Sequence, residues 1–110
     1  AIGALDGPFS DRVRNALAGL RICGEDKVLL RETAFTGGCQ KDPVDGRGVK
    51  MRKICGKSTA AFGHPGAGGS HGFGDPGSGL SFAYVMNQMD LSVMPGLKCV
   101  EMVDALFSEL

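Results

Sequence analysis

Between Gly63 and Gly79, eight of 17 residues are glycine, out of 18 glycines in a chain of 110. A helix through this stretch is excluded on energetic grounds, because each glycine costs about 1 kcal/mol relative to alanine in a helix interior. The stretch must be extended backbone and turns, where glycine permits close approach or a left-handed conformation. Asp75-Pro76-Gly77 is a strong turn signal inside it. After that turn, Leu80, Phe82, Tyr84 and Met86 alternate with Ser81, Ala83, Val85 and Asn87. This predicts a strand over 80–89 with both faces largely buried. Residues 60–89 therefore read as a β-hairpin.

The flanks supply the other elements. Ser10 is placed to cap a helix that begins at Asp11, with Val13, Leu17 and Leu20 on its apolar face and Gly24 as its stop. Residues 27–35 are rich in Val, Leu and Thr and predict an extended segment that ends in Phe35-Thr36-Gly37-Gly38. Residues 40–57 carry Lys41, Arg47, Lys50, Arg52, Lys53 and Lys57 against Asp42 and Asp45, interrupted by Pro43, Gly46, Gly48 and Gly56. That pattern predicts a basic, solvated surface loop or an irregular hairpin. Met94-Pro95-Gly96 opens a terminal helix over 95–110. Its apolar stripe is Leu97, Val100, Val103, Phe107 and Leu110, with Lys98, Glu101, Asp104 and Glu109 opposite. The fold class is α/β in the broad sense, of the α+β type. It is a partial antiparallel sheet carrying an N-terminal helix and a C-terminal amphipathic helix, in one unit over 1–110.

Composition removes several function classes. Lys plus Arg equals Asp plus Glu at 12 each, so no global charge draws the chain to nucleic acid or an anionic membrane. The basic stretch 40–57 contains no aromatic side chain on which a base could stack. No run reaches the ~20 apolar residues of a membrane span. Residues 1–20 carry Asp6, Asp11, Arg12 and Arg14 without a long apolar centre, unlike a secretory leader. Cys23, Cys39, Cys55 and Cys99 form no C-x-x-C pair and read as reduced, buried thiols in an intracellular setting, with two disulfides as the alternative. His64 and His71 belong to no metal-ligand cluster, and no cofactor is implied.

Three motifs overlap in the glycine-rich stretch. Gly72-Phe73-Gly74-Asp75-Pro76-Gly77 matches G-x-G-x-x-G, but a strand rather than a helix follows, and Asp75 would repel a phosphate. Gly68-Gly69-Ser70-His71-Gly72 matches the G-x-S-x-G elbow of α/β-hydrolases. That motif needs a helix after the serine and a later histidine, and the sequence offers neither, so Ser70 reads as a small packed residue.

The third pattern is longer. Residues 62–89, FGHPGAGGSHGFGDPGSGLSFAYVMNQM, resemble the last active-site strand of the serine β-lactamase and penicillin-binding-protein superfamily. Gly63-His64-Pro65-Gly66 stands at the family's K-T-G motif, where the esterase-like branch commonly carries histidine. The likeness extends more weakly to the terminal helix and to Phe35-Thr36-Gly37-Gly38. It implies a serine hydrolase acting on a small ester or amide through an acyl-enzyme. It assigns catalytic roles to His64, in the cleft, and Ala67, whose N–H would face an oxyanion. It also implies substrate contacts along Pro65, Gly66 and Gly68. Pro65 stands where the family has threonine and lacks both the hydroxyl and the backbone donor, which favours esters over carboxylate-bearing lactams.

None of Ser10, Ser58, Ser70, Ser78, Ser81, Ser92 and Ser108 has lysine three residues later, so S-x-x-K does not occur here, and Y-x-N and S-x-N are also missing. The expectation is a C-terminal piece of such an enzyme, inactive alone and marginally stable, with its nucleophile far upstream. Two alternatives remain: a non-catalytic relative that binds a partner through an exposed sheet edge, and an esterase using Ser70.

Overall fold

Residues 8–110 are described in a computed structural model of the chain; Asp6, part of the leader argument, lies outside them. In chain order the elements are α1 (Asp11–Ala18), β1 (Ile22–Asp26), β2 (Arg31–Phe35), β3 (Gln40–Lys41), β4 (Phe62–Pro65), β5 (His71–Asp75), β6 (Leu80–Tyr84) and α2 (Leu97–Ser108). The strands form one sheet in the order β1-β2-β3-β4-β5-β6, every neighbour antiparallel. Each strand therefore pairs with its neighbour in sequence, as short connections favour.

Register assigns the two faces. Gly63 lies opposite Phe73, which lies opposite Phe82, so these three share one face. That face carries the core, in which Ile54, Cys55, Ala61, Phe73, Met94 and Val103 are buried and Phe82, Val100 and Phe107 pack around them. The Phe107 ring of α2 stacks on Phe73 with centroids 6.4 Å apart. Phe62 and His64 point to the opposite face, where Lys41 Nζ donates to Ala18 O at the end of α1 (3.3 Å) and so ties that helix to the sheet.

Several sequence expectations are corrected by this geometry. Ser10 does cap α1, accepting from Val13 N–H. The helix ends at Ala18 with Gly19 as its C-cap, while Gly24 lies in β1 opposite Thr33, and no residue of α1 is buried. The extended stretch 27–35 is a turn followed by β2, because Asp26 Oδ1 accepts from Val28 and Leu29 N–H and folds the chain back. The hairpin over 60–89 is a three-stranded meander, with an additional turn at 66–70. Its last strand stops at Tyr84 and leaves Ser81 and Ala83 exposed, since only alternate residues of this edge strand face the α2 layer. On α2 the buried residues are Cys99 and Val103, whereas Leu97 and Leu110 are each 73% exposed. All four cysteines are free, with Cys55 and Cys99 buried but Cys23 exposed.

The largest correction concerns 40–57. Arg47, Lys53 and Lys57 are exposed, but the acid at the centre of the run is not. The Asp42 carboxylate is fully buried and pairs with Lys50 Nζ at 3.0 Å and Arg52 Nε at 3.2 Å. It also accepts from the N–H groups of Ile54 (3.2 Å) and Cys55 (3.0 Å). A carboxylate with four donors can be buried where an unpaired one cannot.

Candidate functional site

The site is built on β4, β5 and the turn between them. Gly63 must be glycine: a Cβ there would overlap the Gly72 carbonyl oxygen and lie 2.5 Å from Phe73 Cα. That close approach of β4 to β5 sets the height at which the next residue, His64, leaves the sheet. His64 is exposed and paired in register with Gly72. Its Nδ1 lies 2.7 Å from Pro65 O. A carbonyl only accepts, so Nδ1 carries a proton in this contact. His64 lines a cleft of about 520 Å³ with Cys39, Gly63, Gly72, Ser81 and Ala83. Among the described residues, no cationic side chain lines it.

The remaining motif residues divide by burial. Pro65 is buried, paired with His71 on the core side. Gly66 is half-buried, Ala67 is exposed at the turn, and Gly68 is buried beneath it. The turn closes with Gly66 N–H donating to Ser70 O (2.6 Å) and Gly69 N–H donating to Gly66 O (3.1 Å). Among the described residues, the Ala67 N–H donates to no protein acceptor. The structure thus leaves His64 and Ala67 exposed and Gly66 half-buried, and it buries Pro65 and Gly68; Gly66 and Ala67 are not among the residues lining the cleft beside His64.

Ser70 is not set up as a nucleophile. Its Oγ donates to Met86 Sδ at 3.1 Å, and a strand rather than a helix follows. His71 points into the core at 3% exposure, where its Nε2–H donates to Ile54 O at 2.7 Å. Its Nδ1 meets no donor in hydrogen-bonding geometry. Burial holds the ring below the usual histidine pKa, partly opposed by the carbonyls of Ile54 and His64. Cys55 Sγ lies 3.9 Å from His71 Nε2. Burial, reinforced by the Asp42 charge, pushes this thiol up to about 12, so it is a neutral packing group.

Sequence reasoning missed three contributors: Cys39 in the cleft wall, the Asp42 cluster beneath β5, and the segment after Tyr84 that passes under the turn. For Asp42 the available signal was an acid inside a basic run, flanked by the Pro43 that interrupts it. The segment after Tyr84 gave none, because it is held through backbone groups. Among the described residues, no group of three or more His, Cys, Asp or Glu side chains is placed to hold a metal ion, and no helix is long and apolar enough to cross a membrane.

No family model matches the chain, and no curated protein matches it. Solved structures do. The chain is similar to a penicillin-binding protein homolog from Caulobacter crescentus, with a TM-score of 0.84 and 31% identity. It is also similar to a family VIII carboxylesterase, with a TM-score of 0.82 and 25% identity. In both cases 98% of this chain is covered but only 28% of the other, so the chain spans little more than a quarter of those proteins. The antiparallel sheet with its two helices is therefore a portion of the β-lactamase and penicillin-binding-protein fold.

Proposed function

We propose that this chain is the third-motif portion of a β-lactamase-related serine hydrolase that cleaves small esters or amides through an acyl-enzyme. The nucleophilic serine and its lysine lie in the part of the enzyme outside these 110 residues. The observation that carries the reading is the Ala67 N–H, on an exposed residue three positions after the exposed His64, which meets no acceptor among the described residues. A fixed N–H donor costs no reorganisation when an oxyanion develops against it. His64, with Nδ1 occupied by Pro65 O, has Nε2 available to take a proton from the nucleophile and then return it to the leaving group. Gly66 lets the substrate backbone approach, and the buried Pro65 and Gly68 stand on either side of it. Among the described residues no Lys or Arg lines the cleft, which supports neutral esters over carboxylate-bearing lactams.

The test is hydrolysis of p-nitrophenyl butyrate by the full-length enzyme that contains this chain. Ala67→Pro deletes the donor and should lower kcat by about 10²–10³. Ser70→Ala should leave kcat within about two-fold, because its hydroxyl is committed to Met86. Undiminished turnover in Ala67→Pro would remove the oxyanion role. Loss of turnover in Ser70→Ala would move the nucleophile to Ser70. A second reading, strand addition by a partner, is favoured by one observation: among the described residues the sheet is open, with no strand paired to the outer edge of β1 or β6. It becomes the better account if the full-length protein carries no S-x-x-K and hydrolyses no ester.

A further inference from the structure

We infer that residues 86–92 form a strap that positions the Ala67 N–H, with the Asp90 backbone amide as its anchor; this rests on the oxyanion role proposed above. After Tyr84 the chain leaves the sheet and passes under the 66–70 turn. It grips that turn at Gly68 through both backbone groups. Gly68 N–H donates to Ser92 O at 2.8 Å, and Gly68 O accepts from Asp90 N–H at 2.9 Å. Ser70 Oγ donates to Met86 Sδ at the strap's start. Gly68 holds φ +91°, and a Cβ on it would lie 2.5 Å from Met89 Cε. The strap thus fits against this residue only while it is glycine.

The geometry transmits orientation through two rigid peptide groups. In a planar trans peptide, the C=O and the following N–H point in opposite directions. Asp90 N–H fixes the direction of Gly68 O, and therefore that of Gly69 N–H in the same peptide group. Gly69 N–H donates to Gly66 O at 3.1 Å. Fixing Gly66 O fixes Ala67 N–H in turn, pointing out of the turn, away from every protein acceptor described. The run from Asp90 through Gly68–Gly69 and Gly66–Ala67 ends on the Ala67 N–H, which meets no acceptor among the described residues. Glycines at 66, 68 and 69 let the two peptide planes lie this close.

The experiment uses the full-length enzyme and p-nitrophenyl butyrate, with Asp90→Pro to delete the anchoring N–H and Met89→Ala to loosen the contact on Gly68. A strap that aims the donor predicts a fall in kcat of about ten-fold in Asp90→Pro, a fraction of what losing a donor outright costs. KM should stay within about two-fold, because the ground-state ester does not depend on the donor. Affinity for a boronic acid, which mimics the tetrahedral oxyanion, should fall in step with kcat. Met89→Ala should show a smaller change of the same pattern. If the unaltered enzyme hydrolyses no ester, the functional reading fails and this one with it. If it is active and both variants keep kcat and boronate affinity, the strap alone is overturned. A fall in kcat with no loss of boronate affinity, or matched by a rise in KM, also overturns it. If Asp90→Pro does not fold, Met89→Ala decides by the same criteria.

Discussion

The glycine-rich turn at 66–70 and the charged segment at 42–57 are both irregular backbone, and they are held by opposite means. The turn is fixed by backbone groups bonded to backbone groups, with Gly68 gripped from both sides. The charged segment is fixed by one side chain, since the Asp42 carboxylate collects Lys50, Arg52 and two backbone amides. The first arrangement leaves a donor free on the surface, while the second commits a buried carboxylate to four donors. A segment's charge content therefore does not give its exposure, and a segment's lack of side chains does not give its mobility. What matters is whether each polar group finds a partner. The two regions also meet, because Ile54, placed by Asp42, supplies the carbonyl that holds His71 on β5.

The sharpest way to break this comparison is to delete the hub. In Asp42→Ala the Lys50 ammonium, whose side chain is 4% exposed, keeps only Gly56 O as a partner, and the Ile54 and Cys55 amides lose their acceptor. Removing one partner of a buried ion pair costs about 3–5 kcal/mol. Chemical denaturation should report a loss of that size, enough to unfold a marginal domain. A loss below about 1 kcal/mol, the range of an exposed pair, would mean that the segment is held by something else.

The next effect separates glycines that the fold requires from those it merely carries. A methyl group at Gly63 would drive into the β5 backbone, which cannot move without breaking register. Gly63→Ala should cost about 1–3 kcal/mol, the usual range for overpacking. At Gly72 the nearest atom to an added Cβ is Phe82 O at 3.8 Å, an ordinary contact. Gly72→Ala should therefore stay within about 0.5 kcal/mol in the same melts. Equal losses at both positions would show that glycine content, rather than close approach at one point, sets the stability of β4 and β5.

How much of this was legible in the sequence follows the same division. Ser10 and Asp75 announced themselves because short side chains that bond the local backbone have a fixed offset. Asp75 accepts from Gly77 N–H and Ser78 Oγ within its own turn. The turn at 66–70 carries no Pro or Asp to mark it, so two strands read as one segment. Gly24 read as a helix stop because a glycine in an outer strand looks the same in sequence. The Asp42 cluster was hidden because its partners lie eight to 13 residues away, beyond any local pattern. The histidine in the cleft was reachable only through the likeness of a long continuous stretch. The strap was not reachable at all, since main-chain bonds leave no residue signature.

The smallest expected effect tests whether the join between the two regions is dry. His71 has its Nε2–H committed to Ile54 O and an Nδ1 without a donor. The groups around it are Cys55, a neutral thiol, the Asp42 charge, which raises its pKa, and the Arg52 charge, which lowers it, together with the rings of Phe73 and Phe82. Burial dominates and lowers the folded-state pKa from 6.5. The unfolded chain then binds this proton more readily than the folded one. Stability from keeping His71 neutral is full above pH 6.5 and is lost as pH falls from there toward the folded pKa. The slope cannot exceed about 1.4 kcal/mol per pH unit for a single group. Asp26 and Asp45 contribute in a separate, more acidic range, because their backbone hydrogen bonds hold them below 3.8. Denaturant melts at pH 7.5, 6.5 and 5.5 should show stability falling with pH, and His71→Gln should flatten that part of the profile. A profile that stays level in the unaltered chain, or that falls equally in His71→Gln, would mean that water reaches Nδ1 and that the charged segment does not seal the underside of β5.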